Sequence, residues 1–535
     1  TYAYYCATRA LMENEGFKFK YYFDSDAEEK EYDTSYDEMY SYCQKKLYSE
    51  GYKIYTSIDL TKQQQLQDSI DLTLLDFTDT TDDGTFKLQS AATCIDNATG
   101  YVVAIVGGRS QDATNHTLNR AFQSHRQPGS SIKPLIVYTP SFERGKTPDT
   151  IVNDHKFDGG PSNAGDSYYG DVTIRFAVEK SLNTVAWQLY DELTPKVGLQ
   201  YLKDMNFTNI VKDDYVTATA LGGFTTGVSP LEMASAYATL ENDGMYRNPT
   251  CVTSIVDSDN NIIYTSSQKD TVIYSENAAR TMTDVMTGVM TQGTGRKAKL
   301  DNGMPSAGKT GTTNDKKDGW FCGFTRYYTT CVWVGCDMPE TIKDLTGGSY
   351  PAEIWKTYMD QIHSDLTPLN FLPYAHMSDE SQDNQESQEV QDTPADDQTQ
   401  NNPTDQTVTT PDEGTTTPDQ TTTDPNKTDA AGGNHEKTPT TPSENPSGGA
   451  GDSGSAGGTG GAGDNGSTGG AGGAGDSGST GGAGGAGGSG STGGAGGAGG
   501  SGSTGGTGGA GGSGSTGNTG GTTGGESGAI GGATQ

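Results

Sequence analysis

The amino-acid sequence predicts an α+β fold: an antiparallel sheet flanked by helices, with an all-helical subdomain, followed by a long disordered tail. Three observations lead there. Strand-like runs with hairpin turns occur early and late in the first 375 residues, and helical stretches fill the interval between them. Those residues also contain every Phe, Trp and Tyr of the chain. The remainder holds 48 of the 76 glycines and 20 acidic residues against two basic ones, too polar to bury a core.

Residues 1–50, rich in Tyr, Glu and Lys and poor in aliphatic side chains, read as helical and surface-lying, a piece between domains. GYKIYTSIDLTKQQQLQDSID gives a short alternating strand and then a helix begun by Asp59. AATCIDNATGYVVAIVGG reads as a hairpin turning through Asn97-Ala98-Thr99-Gly100. Helices follow in SSIKPLIVYTPSFERG, IRFAVEKSLNTVAWQLYDEL, PLEMASAYATLENDG and ENAARTMTDVMTGVMTQG. Before the last of these a second hairpin, SIVDSDNNIIYTS, takes its turn from Asp and Asn. Near residue 308 strands return as AGKTGTT, DGWFCGF and TTCVWVGCD, rich in aromatic and β-branched residues. PAEIWKTYMDQIHSDL closes a domain expected over residues 51–372, long enough for a substantial core. Residues 373–535 run from an acidic stretch through Thr/Pro/Asp-rich sequence into repeats such as DSGSTGGAGGAG. These have nothing larger than Ala to stack, so they suit neither a solenoid nor collagen.

Composition excludes several functions. A net charge of −34 argues against nucleic-acid binding and against docking on anionic lipid. No apolar run approaches the roughly 18 residues of a membrane span. The chain starts at Thr1 without a signal-peptide pattern, which suggests a processed terminus or a fragment. Seven cysteines at irregular spacing and six histidines without ligand spacing leave no metal or cofactor expected. Cys322 and Cys331 are the one pair that could face each other, on a hairpin. The Asp-Gly loop from Asp79 fails as a calcium site because Ser90 stands where a bidentate Glu is needed.

Three short motifs carry chemistry. Ser130-x-x-Lys133 opens a helix, Ser181-x-Asn183 lies within or beside another, and Lys309-Thr310-Gly311-Thr312 sits on a strand. Taken singly, these are an ordinary helix cap, surface polar residues and a strand end; their order and context together point to acyl transfer. The first spacing puts a hydroxyl and an amine one turn apart, at a helix N-terminus that favours negative charge. Lys133 can act as a base only when neutral, which burial and a second cation such as Lys309 would promote. Ser181 can relay a proton, and Asn183 offers a donor and an acceptor to a peptide. Gly311 admits a substrate backbone beside the strand, and the threonine hydroxyls suit a carboxylate.

The trio is shared by penicillin-binding proteins and class A β-lactamases. The sequence resembles the transpeptidase domain of class A penicillin-binding proteins of Gram-positive type over residues 50–370, through the motifs and through GYKIYTSIDLTKQQQLQ, TGYVVAIVGG, NRAFQSHRQPGSSIKPL, ALGGFTTGVSPLEMASAYATLENDG and GVMTQGTGRKA. The resemblance implies a serine D-alanyl-D-alanine transpeptidase that cross-links peptidoglycan stem peptides and is acylated by β-lactam antibiotics. It makes Ser130 the nucleophile, Lys133 its base, Ser181 the proton relay and Lys309 the source of the field. Asn183 would bind the stem-peptide amide and Thr310 and Thr312, beside Gly311, the terminal carboxylate. The N–H groups of Ser130 and Thr312 would form the oxyanion hole. Residues 1–50 then resemble a linker remnant, and the parent protein would be anchored in the membrane through an absent N-terminal region, working at the outer face of the plasma membrane and in the wall. A D,D-carboxypeptidase and a non-catalytic penicillin sensor or wall-binding module are the alternatives. A class A β-lactamase would need Glu-x-x-x-Asn between the second and third motifs, and Glu192, Glu232, Glu241 and Glu276 are followed four residues on by Lys196, Ala236, Met245 and Arg280.

Overall fold

The computed structural model describes residues 1–111 and 118–375. The tail expected to be disordered lies outside the described residues from 376 onward.

Helix α1 (Tyr2–Asn14) buries Tyr2, Cys6, Ala7, Leu11 and Met12, and the Tyr2 hydroxyl donates to the Pro249 carbonyl at 3.3 Å. Helix α2 (Asp26–Ser49), capped by Ser25, buries only Cys43 and Leu47, because its Glu, Asp and Lys residues leave no sustained apolar stripe. The surface-lying character expected of residues 1–50 therefore describes α2, whereas α1 belongs to the core. Strand β1 (Lys53–Thr56) leads to Asp59, whose carboxylate accepts from the Thr61 and Lys62 N–H groups at 2.9 and 3.0 Å and starts α3 (Leu60–Thr73). The expected hairpin is β2 (Leu88–Asp96) and β3 (Val102–Val106). Its turn closes where Gly100, at a φ of +76°, donates to the Asp96 carbonyl at 2.7 Å.

Short helices α4 (Arg120–Gln123) and α5 (Thr139–Glu143) flank the first motif, and the pair β4 (Ile151–Asp154) and β5 (Gly170–Thr173) precedes the second. Helices α6 (Ile174–Lys180), α7 (Asn183–Leu193) and α8 (Pro195–Asp204) form the helical part. Helix α9 (Pro230–Glu241) begins with a capping box between Ser229 and Glu232. Strands β6 (Met245–Tyr246) and β9 (Thr271–Val272) pair, as do β7 (Val252–Val256) and β8 (Ile262–Thr265), the second expected hairpin. Helix α10 (Glu276–Thr291) then precedes β10 (Ala307–Thr312), β11 (Asp318–Phe324), β12 (Tyr328–Cys336) and the closing α11 (Tyr350–Ile362).

The central sheet has the order β10-β11-β12-β2-β3 and is antiparallel throughout. Alternate residues of each strand serve opposite faces. Trp320, Cys322, Phe324, Cys331 and Trp333 join the core formed with α9 and α10, while Phe321, Val332 and Val334 meet Leu66 and Ile70 of α3 and Trp355, Tyr358 and Met359 of α11. The sheet is thus buried on both sides, which explains why its strands read as nearly continuous apolar runs. Cys322 and Cys331 stand opposite each other in register, as free thiols.

Candidate active site

The chain reaches Ser130 through firmly held residues. Arg126 exchanges both backbone hydrogen bonds with Val228, each 2.9 Å, and its Nε donates to Asp318 Oδ1 at 2.8 Å, which also accepts from Trp333 Nε1 at 3.0 Å. Trp320 Nε1 donates to the Gln127 carbonyl at 2.9 Å. The helix expected next is irregular. Gly129–Ile132 forms a 3₁₀ turn and Pro134–Tyr138 a π turn before α5. Pro134 and Pro140 lack the N–H that an α-helix requires, and the hydroxyls of Thr139 and Ser141 bond back to the Pro134 and Val137 carbonyls, each at 2.7 Å. In a 3₁₀ turn residues three apart eclipse, so Ser130 and Lys133 share one side.

The second motif is a break between two helices rather than part of the single helix its sequence suggests. Ser181 ends α6 at a φ of +58°, in the left-handed region, and α7 restarts at Asn183. That reversal aims three acceptors at Lys133 Nζ: the Ser181 carbonyl at 2.9 Å, the Leu182 carbonyl at 3.1 Å and Asn183 Oδ1 at 2.7 Å. Asn183 Nδ2 meanwhile donates to the Ser162 carbonyl at 2.8 Å, so both ends of the amide expected to meet a substrate already have protein partners.

The third motif lies on β10, an edge strand packed against the Ser130 turn. Lys309 Nζ donates to Ser181 Oγ at 2.8 Å and to the Thr310 carbonyl at 3.1 Å. A side chain on Gly311 would meet the Pro128 carbonyl at 2.2 Å, so the close approach requires glycine. Thr310 Oγ1 lies 2.7 Å from Thr294 Oγ1, and Thr312 Oγ1 accepts from Gly347 N at 2.9 Å, which leaves the Thr312 O–H free to donate.

Both lysines are fully buried. Burial, reinforced by the positive charge of Lys309, holds the Lys133 amine well below its ordinary value, and burial lowers Lys309 to about 7. The three oxygen acceptors around Lys133 work the other way, favouring its ammonium form. A proton on Lys309 discourages one on Lys133.

The structure therefore brings Ser130, Lys133, Ser181, Asn183, Lys309, Thr310, Gly311 and Thr312 into one place. It adds residues that sequence reasoning missed. Thr294 lay in the GVMTQGTGRKA run without a role, and Tyr237, whose hydroxyl donates to the Ser131 carbonyl at 2.6 Å, belongs to the quoted α9 segment. Asn163 and Asp154, described below, stood in no motif. Among the described residues no group of three or more His, Cys, Asp or Glu could hold a metal ion, and no helix is long and apolar enough to cross a membrane.

A helix-flanked antiparallel sheet with this trio at its edge strand defines the class of penicillin-recognising serine proteins. The chain belongs to the penicillin binding protein transpeptidase domain family, which matches residues 90–360. It is 36% identical over 314 residues to penicillin-binding protein 4 of Bacillus subtilis, covering 58% of this chain and 48% of that protein. It is 35% identical over 337 residues to penicillin-binding protein 1A of Clostridium acetobutylicum, covering 59% and 41%. The chain thus spans half or less of the length of these relatives. Its fold resembles that of PonA1 from Mycobacterium tuberculosis, solved in complex with penicillin V, with a TM-score of 0.57 at 23% identity over 70% of this chain and 95% of that one. Penicillin-binding protein 1A of Haemophilus influenzae gives a TM-score of 0.52 at 20% identity, over 61% and 68%.

Proposed function

We propose that this chain acts as a serine D-alanyl-D-alanine transpeptidase that cross-links peptidoglycan stem peptides in the wall outside the plasma membrane, and that β-lactams acylate it. The observation that carries this reading is the buried pair Lys133 and Lys309, since burial and the second cation favour the neutral amine that a base three residues from Ser130 requires. Ser130 Oγ attacks the carbonyl of the penultimate D-alanine while Lys133 Nζ takes its proton. The C–N bond to the terminal D-alanine breaks, Ser181 hands a proton to the leaving amine, and the stem peptide remains as an ester on Ser130. An acceptor amine then attacks the ester and frees the serine. With a β-lactam the broken bond is the ring amide, so the leaving group stays tethered.

Gly129 and Thr312 touch through their backbones, which supports an oxyanion hole from the N–H groups of Ser130 and Thr312, each worth about 3 kcal/mol to the transition state. Asn183 takes the stem-peptide amide by sharing its Ser162 and Lys133 bonds. Thr310 and Thr312 take the terminal carboxylate, with Lys309 supplying the field and Gly311 the room beside the strand. A D,D-carboxypeptidase would use the same site with water as acceptor. A sensor would need no neutral lysine, because recognition alone requires no base.

Fluorescent penicillin tests the reading. The wild type should take a covalent label that persists through denaturing electrophoresis, and Ser130→Ala should take none; an unlabelled wild type would sink the proposal. A label lost within seconds would indicate a β-lactamase. Formation of cross-linked product with an added acceptor amine separates the transpeptidase from the carboxypeptidase.

A further inference from the structure

The loop between β4 and β5 reaches the site through the Ser162 carbonyl, and the next residue, Asn163, has no role in the reading above. Asp154, at the end of β4, is fully buried, and among the described residues no cation pairs with it. A buried carboxylate without a cation requires several donors. Asp154 has three: Asn163 Nδ2 at 2.7 Å, the Tyr169 N–H at 2.9 Å and the Thr184 hydroxyl. The Asn163 amide also donates to the Ser167 carbonyl at 3.0 Å, which fixes its orientation. Its Oδ1 must then face α7, where it accepts from the N–H groups of Asn183 at 2.7 Å and Thr184 at 3.3 Å.

Those are the first two residues of α7. The residue in the cap position is Leu182, which offers no capping side chain. Asn163 supplies the missing cap from twenty residues upstream. The neighbouring Ser162 carbonyl holds Asn183 Nδ2, so backbone and side chain of Asn183 are both gripped and its Oδ1 is left pointing at Lys133.

We propose that Asn163, oriented by Asp154, is a positioning residue of the acyl-transfer site: it caps the helix that carries Asn183 and fixes the acceptor that Asn183 presents to Lys133. The inference rests on the reading of Ser130 as the acylated residue. The asparagine amide serves both needs, a donor toward the carboxylate and an acceptor toward the helix.

The charged group that faces Lys133 is Lys309 from β10, whereas the α6–α7 junction contributes only carbonyls and the Asn183 amide. Loosening Asn183 removes an acceptor that favours the ammonium form, so Lys133 should lose its proton at a lower pH. The test is the rate of penicillin acylation of the full chain as a function of pH, with a thermal melt for every variant. Asn163→Ala should slow acylation at pH 7 by about tenfold to a hundredfold through misplacement and move the acid limb down by about half a unit or more. Asn163→Asp, which sets two carboxylates against each other, should be worse. The exchange Asn163→Asp with Asp154→Asn restores a donor–acceptor pair and should recover most of the rate and return the limb toward wild type.

A slowed variant whose acid limb stays in place would mark Asn163 as merely structural and overturn the proposal. If Asn163→Ala does not fold, the exchange decides: no recovery over Asn163→Asp overturns it. An unlabelled wild type in the same assay would overturn the acyl-transfer reading first and this inference with it, so the two failures are told apart.

Discussion

A side chain on Gly129 would lie 2.6 Å from the Thr312 carbonyl oxygen and 2.8 Å from its nitrogen, and the residue sits at a φ of +53°. Both the space and the backbone angle therefore demand glycine, immediately before the residue read as the nucleophile. Gly129→Ala should lose at least about a hundredfold in acylation rate by displacing Ser130. It should cost roughly 1–3 kcal/mol of stability for the left-handed conformation alone. Label time courses and urea unfolding check the two halves separately, and a near-normal rate would show that the 3₁₀ turn can shift without harm. At this scale the sequence was informative wherever residues act within one short segment: Ser130 and Lys133 are three apart, and their relation follows from helical geometry. Asn163 was invisible for the opposite reason. Its partners lie at 154 and at 183–184, brought together only by the pairing of β4 with β5 and the break at Ser181. That break was itself hidden, since AVEKSLNTVAWQ reads as continuous helix until the left-handed Ser181 is seen.

Elements were legible where their own ends carry chemical signals. Asp59 caps the helix it announces, and the Asn-Ala-Thr-Gly and Asp-Asn turns make the hairpins they suggest. The first fifty residues gave a weaker signal, because α1 packs on distant strands as well as on its neighbour α2. Its apolar residues lie against β7 and β8, which begin some 240 residues later. Leu11, at 1% exposure, measures how much α1 contributes. Leu11→Ala should cost about 2–5 kcal/mol by the loss of buried apolar area and the cavity left behind, read as a lower urea midpoint. A loss below about 0.5 kcal/mol, the usual range for a surface change, would return α1 to the status of a detachable linker.

The whole molecule was obscure in its topology. Composition alone separates an aromatic-rich region from a Gly-rich, acidic one. Nothing local reveals that the early hairpin joins the late strands, with Cys94 opposite Thr330 across β2 and β12. That long-range closure puts Lys309 in the interior, and burial of its amine has a consequence for the entire fold. Its folded value of about 7 lies below the ordinary 10.5, so between those limits the unfolded chain binds more protons, and stability rises with pH across that window. Below pH 7 the ammonium is buried at full cost. Lys309→Met should therefore be more favourable to stability, relative to the wild type, at pH 6 than at pH 9, while acylation is lost with the field on Lys133. Urea unfolding of both proteins at the two pH values measures this. A stability difference that does not change with pH would mean that Lys309 keeps an ordinary protonation equilibrium despite its burial.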